Sequence, residues 1–210
     1  MPYHLVTTSD VKLRHKSKKN IFLGTWCVSY SEKQSDNAKN YNYVKPNPID
    51  RETLDEDQKK IIYFSKKLQK DVYELLNYFH KETFNHRQWN LMLGIWIHKY
   101  VSLIINRYNN LERAIKNYEI SSSTFIIPKE IDLSCLDVKN FSEICSNDQW
   151  NNLLYYRLFD YIDNSIKKKI IEINFQKKIS RERKSYKYFI KKVSNLIFKK
   201  KIINSKSFIK

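Results

Sequence analysis

The chain has 210 residues, 41% hydrophobic and 29% charged, enough for one compact domain or a tight pair of small ones. Its two glycines and four prolines exclude collagen-like, linker-like and proline-rich classes and leave no glycine cluster to cradle a phosphate. The formal net charge of +17 is concentrated: residues 166–210 hold 16 basic and 2 acidic residues, against 23 and 20 in the rest.

Leu5 to Thr8 and Ile21 to Leu23 are short β-prone runs separated by a basic stretch, Lys12 to Lys19. They predict two strands, parallel or paired as a hairpin, with Gly24 directly after the second. Ser31 to Pro48 is polar, carries Pro46 and Pro48, and predicts irregular chain. From about Glu52, the residues Ile61, Phe64, Leu68, Val72, Leu75, Leu76 and Phe79 recur at helical spacing, the core-facing stripe of a long helix. Asn85 or His86 starts a second helix, from about Arg87 to Tyr118, apolar on most faces as far as Ile105 and therefore buried. Thr124 to Ile127, ended by Pro128, predicts a strand, and Asp132 to Phe141 mostly loop. Asn147 or Asp148 caps a helix carrying Trp150, Leu153, Leu154, Leu158 and Ile162. Ile166 to Ile203 predicts further helix, with Ile166, Ile170, Ile173, Phe189 and Val193 on its apolar side. The fold class is α/β and helix-rich, a short parallel sheet with long packed helices. Residues 1–165 form the domain and 166–210 a basic helical extension.

Local motifs for serine hydrolase, kinase, nucleotide-loop or zinc chemistry are absent. Cys27, Cys135 and Cys145 give neither a disulfide framework nor a metal spacing, which fits a reducing compartment, and neither metal nor cofactor is expected. The first residues lack the pattern of a secretory signal. The longest apolar run, Leu91 to Ile105, is broken by His98 and Lys99 and is too short to span a bilayer. The expected location is cytoplasmic, at most peripheral at a membrane surface. Segment 166–210 could meet phosphates or an anionic membrane. Lysine nevertheless far outnumbers arginine, the better bidentate phosphate ligand, which argues against a specific nucleic-acid role.

Three patches can carry chemistry. Thr25 and Trp26 follow the second strand, where ligands gather beyond the carboxyl ends of an open α/β sheet. Thr25 offers a hydroxyl and Trp26 a stacking wall, although Trp26 and Cys27 also suit a core. His86, Arg87, Trp89 and Asn90 open the apolar helix, where amide dipoles and an arginine favour an anion, unless Arg87 is held in an ion pair. His98 lies deeper in that helix and reads more simply as a satisfied core histidine. Asn147, Asp148, Trp150 and Asn151 open the next helix, where capping by Asp148 and burial of Trp150 suffice as explanations.

In order along the chain, these residues resemble the amino-terminal part of the LIC12162-type transferases, bacterial proteins associated with surface polysaccharide assembly. Family members open with an apolar strand ending in Thr-Thr, here Leu5-Val6-Thr7-Thr8. A Phe-Leu-Gly-Glu-Trp-Cys stretch follows, here Phe22-Leu23-Gly24-Thr25-Trp26-Cys27 with Tyr30 nearby. Of a His-Trp-Asp-Asp-Arg segment before a long helix, Asp50 and Arg51 remain. Arg87-Gln88-Trp89-Asn90-Leu91-Met92-Leu93-Gly94-Ile95-Trp96 matches a later stretch, and Trp150-Asn151 a Trp-Asn before a helix. The chain departs from the pattern at Thr25 (Glu in the family), Asn90 (Arg) and Ile95 (Pro).

The resemblance implies the first half of a two-domain, glycosyltransferase-like fold acting on a nucleotide sugar, sugar phosphate or glycan precursor. A partner chain could supply a second domain. It implies phosphate contacts from Arg51 and Arg87, substrate contacts from Thr25, Trp26 and Asn90, and an acid/base or orienting role for Asp50. The competing expectation is a non-catalytic protein using a basic helical tail against nucleic acid, membrane or a protein partner.

Overall fold

A computed structural model describes residues 2–34, 41–46, 50–128, 133, 138–163 and 165–173. These fall into two compact units, one holding residues up to 46 and from 108 to 173, the other residues 50–107.

The first unit is built on a parallel sheet of four strands, β1 (Tyr3–Val6), β2 (Asn20–Phe22), β3 (Ile120–Pro128) and β4 (Lys167–Ile173), in the order β2-β1-β3-β4. The chain thus places β2 on one side of β1 and β3 on the other, and the β1/β3 boundary is where the strand order reverses. The parallel alternative for the first two strands holds: Leu5 pairs with Ile21 and Val6 with Phe22. As a central strand, β1 is covered on both faces, with His4, Leu5 and Val6 all buried.

A histidine on a central strand must satisfy two ring nitrogens without water. His4 Nε2 donates to the Leu13 carbonyl at 2.9 Å, in the 3-10 turn Val11–Leu13 that links β1 to β2. Its Nδ1 accepts from the Ser122 hydroxyl at 2.9 Å, tying β1 to β3. Burial, and then the neighbouring His15, Lys18 and Lys169, keep the imidazole below its ordinary value and therefore neutral.

Two short helices, α1 (Tyr30–Lys33) and α4 (Val138–Ile144), arise within or beside stretches predicted as loop. The signal for α1 is a capping box in which Ser29 and Glu32 exchange bonds, completed by Arg14 gripping Glu32 at 2.7 and 2.9 Å. The helix α5 (Asp148–Ile162) packs on β3, with Phe125 edge-on to Tyr156 and Phe159.

The helix expected from Ile166 fails over Lys167–Ile173, which is strand β4, paired with β3 through seven successive residues. The spacing of Ile166, Ile170 and Ile173 mimics a helical face. The β-branched run Ile170-Ile171 beside a long open strand instead favours the pleat, and at a sheet edge three consecutive lysines can still reach water. The remainder of the expected extension, 174–210, lies outside the described residues.

The second unit holds α2 (Arg51–His80) and the first two-thirds of α3 (His86–Asn117), an antiparallel pair joined by a tight connection. Asn77 clasps that connection, bonding both backbone groups of Phe84 and accepting from Trp89 Nε1 at 2.8 Å. Trp89, Ile97, Tyr100, Val101 and Ile104 are buried, but Leu91, Met92 and Ile95 are 77%, 52% and 73% exposed, so the helix expected to be buried on most faces packs one side only and leaves another apolar side open.

His4 carries a pH prediction. Below its ordinary 6.5 the unfolded chain takes up a proton that the folded chain refuses, so stability present above 6.5 is lost as pH falls. Urea midpoints measured from about pH 7 to about pH 5 should decline, and His4→Gln should flatten that decline.

Candidate active site at the carboxyl edge of the sheet

At the carboxyl end of β1 the chain runs Thr7-Thr8-Ser9. Thr7 and Thr8 are each only 1% exposed, and the Thr7 hydroxyl has no partner among the described residues. Ser9 donates its amide, at 3.1 Å, and its hydroxyl to one carboxylate oxygen of Asp148, the first residue of α5. Asn147 caps that helix by accepting from the amides of Gln149 and Trp150 at 2.9 and 3.1 Å. The amino end of a 15-residue helix thus lies against the carboxyl end of the central strand.

One turn further along α5, Asn152 completes the arrangement. The β1/β3 register ends at Leu5↔Ser123, so β3 continues beyond β1 and the Ile126 amide has no strand partner there. Asn152 Oδ1 accepts from it at 2.9 Å. The Asn152 side-chain NH2, on a residue 2% exposed, has no partner among the described residues. Two buried polar groups, a hydroxyl and an amide, are therefore left open beside the point where the strand order reverses. Such atoms ordinarily find a partner, and those that do not mark ligand or water positions.

The chain leaving β2 supplies the third wall. Gly24 is buried, and a Cβ built on it would lie 2.2 Å from the Trp26 ring, so the indole rests directly on the Gly24 backbone. Thr25 is exposed, and Trp26 keeps 43% of its surface open to solvent. Cys27 turns inward, and burial pushes its thiol up to about 12, with Asp148 adding to the rise. Such a thiol is no nucleophile at neutral pH. The Leu23 amide donates to the Val6 carbonyl at 2.9 Å, so the β2 turn leaves beside the end of β1. Arg14, the cation near this edge, is committed to Glu32, whose carboxyl it draws down to about 2, and its guanidinium lies over Phe22 at 5.3 Å.

The remaining sequence-predicted residues lie in the second unit. Asp50 is fully exposed and caps α2, accepting from the Thr53 amide at 2.7 Å and the Thr53 hydroxyl at 2.9 Å. Arg51 begins α2 and is exposed. Arg87, in the first turn of α3, is exposed too. Because α2 runs about 45 Å at 1.5 Å per residue, Arg51 and Arg87 stand at opposite ends of an antiparallel pair and cannot grip one phosphate. Asn90 folds back over Gly94, its Oδ1 accepting from Gln69 at 3.1 Å and the Tyr73 hydroxyl at 3.4 Å. Trp150 is core, edge-on to Phe141. Sequence reasoning gathered Thr25, Trp26 and Asp148 but passed over Asn152. No local signal marks it, because the amide it serves, that of Ile126, lies 26 residues earlier on β3.

A family model described as LIC12162 family transferase matches residues 3–210. The chain belongs to the LIC12162 transferase family. No curated protein and no solved structure matches it. The family match covers every described element from β1 to β4, the strand-end patch and α5 included. Among the described residues, no group of His, Cys, Asp or Glu is placed to hold a metal ion, and no helix is long and apolar enough to cross a membrane.

A methyl group at Gly24 must displace the Trp26 ring, whose far edge is free to swing outward. Gly24→Ala should therefore cost no more than about 1 kcal/mol in a urea melt yet visibly shift the Trp26 share of the fluorescence, taken as the difference from Trp26→Phe.

Proposed function

We propose that this transferase binds a nucleotide sugar or sugar phosphate at the carboxyl edge of its sheet, for glycosyl transfer in glycan assembly. The observation that carries the reading is an exposed indole just after β2, whose end is bonded to that of β1 through the Leu23 amide and the Val6 carbonyl at 2.9 Å, together with two buried polar groups without a partner among the described residues, Thr7 Oγ1 after β1 and Asn152 Nδ2 near the start of α5.

Each part has a distinct task. The Trp26 face stacks on a base or sugar ring, and its Gly24 platform fixes the ring's angle before ligand arrives. The Thr7 hydroxyl and the Asn152 amide donate to phosphate or sugar oxygens, and neither must first give up a protein bond. The positive end of α5 favours charge developing on a leaving phosphate. Thr25 stands beside the indole as a further hydroxyl. Asp148, fixed by Ser9, is the carboxylate at this edge able to orient an acceptor hydroxyl. It takes over in this reading the role that the family pattern suggests for Asp50.

Thermal stabilisation by a panel of nucleoside diphosphate sugars, at low and high salt, tests the reading. One sugar nucleotide should stabilise the protein at both salt concentrations. Trp26→Ala should weaken that binding by about fivefold or more, the value of a stacked ring. Asn152→Asp keeps an acceptor for Ile126 while removing the donor, and should weaken binding in protein that a urea melt shows to be folded. If no sugar nucleotide binds and only nucleic acid does, with affinity collapsing as salt rises, the basic binding protein is the correct reading.

A further inference from the structure

The groove between α2 and the first turns of α3 has a composition that the sheet-edge site leaves unexplained. It encloses 510 Å³, and its polar lining is Ser65, Lys66, Gln69, His86, Asn90 and His98. On α3, His86, Asn90, Gly94 and His98 follow at intervals of four, so they form one stripe along the helix. Gly94 is the hollow in that stripe. Glycine in mid-helix costs about 1 kcal/mol relative to alanine, and here a Cβ would lie 2.3 Å from Asn90 Oδ1. The missing side chain lets Asn90 lie back along its own helix, where Gln69 and Tyr73 both donate to its Oδ1. That arrangement fixes the amide so that its NH2 is the group left to donate.

Ser65 supplies the independent observation. It is 4% exposed, and its hydroxyl has no partner among the described residues, not even the carbonyl one turn back that a mid-helix serine usually takes. A buried hydroxyl left open on a groove wall costs stability unless something in the groove completes it. Among the described residues, the lining contributes an ammonium, two imidazoles, a hydroxyl and amide donors, and no carboxylate. The volume lies within the range of small-molecule pockets. We propose that this groove binds the phosphate group of a small molecule, at a site separate from the sheet edge. A phosphate's several acceptor oxygens match donors arriving from both helices, whereas a carboxylate would leave some of them unused.

The test titrates the full chain with inorganic phosphate and with glucose 1-phosphate, following binding by calorimetry and folding by urea denaturation. Ser65→Ala, Lys66→Gln and Gly94→Ala should each weaken phosphate binding, Lys66→Gln by about tenfold or more. Ser65→Ala should also raise the stability of the ligand-free protein, a combination that a merely structural serine cannot give. Gly94→Ala improves helix propensity, so lost binding in that variant is not lost folding. Trp26→Ala, at the sheet edge, should leave binding of inorganic phosphate, which offers no ring to stack on the indole, unchanged. In the Trp26→Ala protein, tighter binding of the sugar phosphate identifies a phosphate monoester as the groove's ligand, and equal binding identifies the free ion. The proposal is overturned if neither probe binds, if the three groove variants bind as the native chain does, or if binding disappears with Trp26→Ala alone.

Discussion

A neutral imidazole at the centre of the sheet sets the terms for the rest of the first unit. β1 is covered on both faces, and its one polar side chain must be satisfied from within. His4 does this by reaching one way to the turn that leads into β2 and the other way to Ser122 on β3. Those two bonds fix where β1 lies along β3, and with it the place where β1 stops while β3 continues. Because β3 outruns its neighbour, the Ile126 amide needs an acceptor from elsewhere, and Asn152 of α5 is held there by that need. The position of α5, and so of Asp148 against Ser9, follows from the register set by His4.

The chemistry of both candidate sites rests on the same physical feature. Buried donors are left without partners among the described residues: the Thr7 hydroxyl and Asn152 amide at the sheet edge, the Ser65 hydroxyl in the helical groove. Folding would be more favourable if each were apolar or bonded. In both places a glycine also creates the room, Gly24 beneath an indole and Gly94 beside a carboxamide. The only two glycines of the chain thus act through the side chain they lack, since both have negative φ or helical backbone.

Much of this was legible in the sequence. The two long helices announce themselves through apolar spacing, and α2 and α3 begin within one or two residues of their predicted starts. The parallel pairing of the first strands follows the same logic of short runs buried on both faces. Thr25 and Trp26 lie exposed just after β2, at the carboxyl edge that topology alone picks out. What escaped depends on long-range pairing. Lys167–Ile173 reads equally well as helix or strand until β3 is present to receive it. Asp50 and Arg51 looked like a functional pair because they follow a family pattern. The hydrogen bonds to Thr53 give Asp50 a capping role that local sequence permits but does not single out. Asn152 could not be found without knowing that an amide 26 residues earlier lacks a partner.

The lysines of β4 have a consequence for how copies of this molecule behave in company. An edge strand seven residues long offers backbone groups to any other extended chain, and its isoleucines would reward the contact. Lys167 and Lys169 are exposed on that edge, while Lys168 is drawn back to Asp160 on α5. A second copy approaching edge to edge would bring like charges within a few ångströms, closer than salt screens effectively. Crowding such molecules together therefore raises a repulsive barrier along the β4 border of the sheet, where recruitment into a continuous ribbon could otherwise begin.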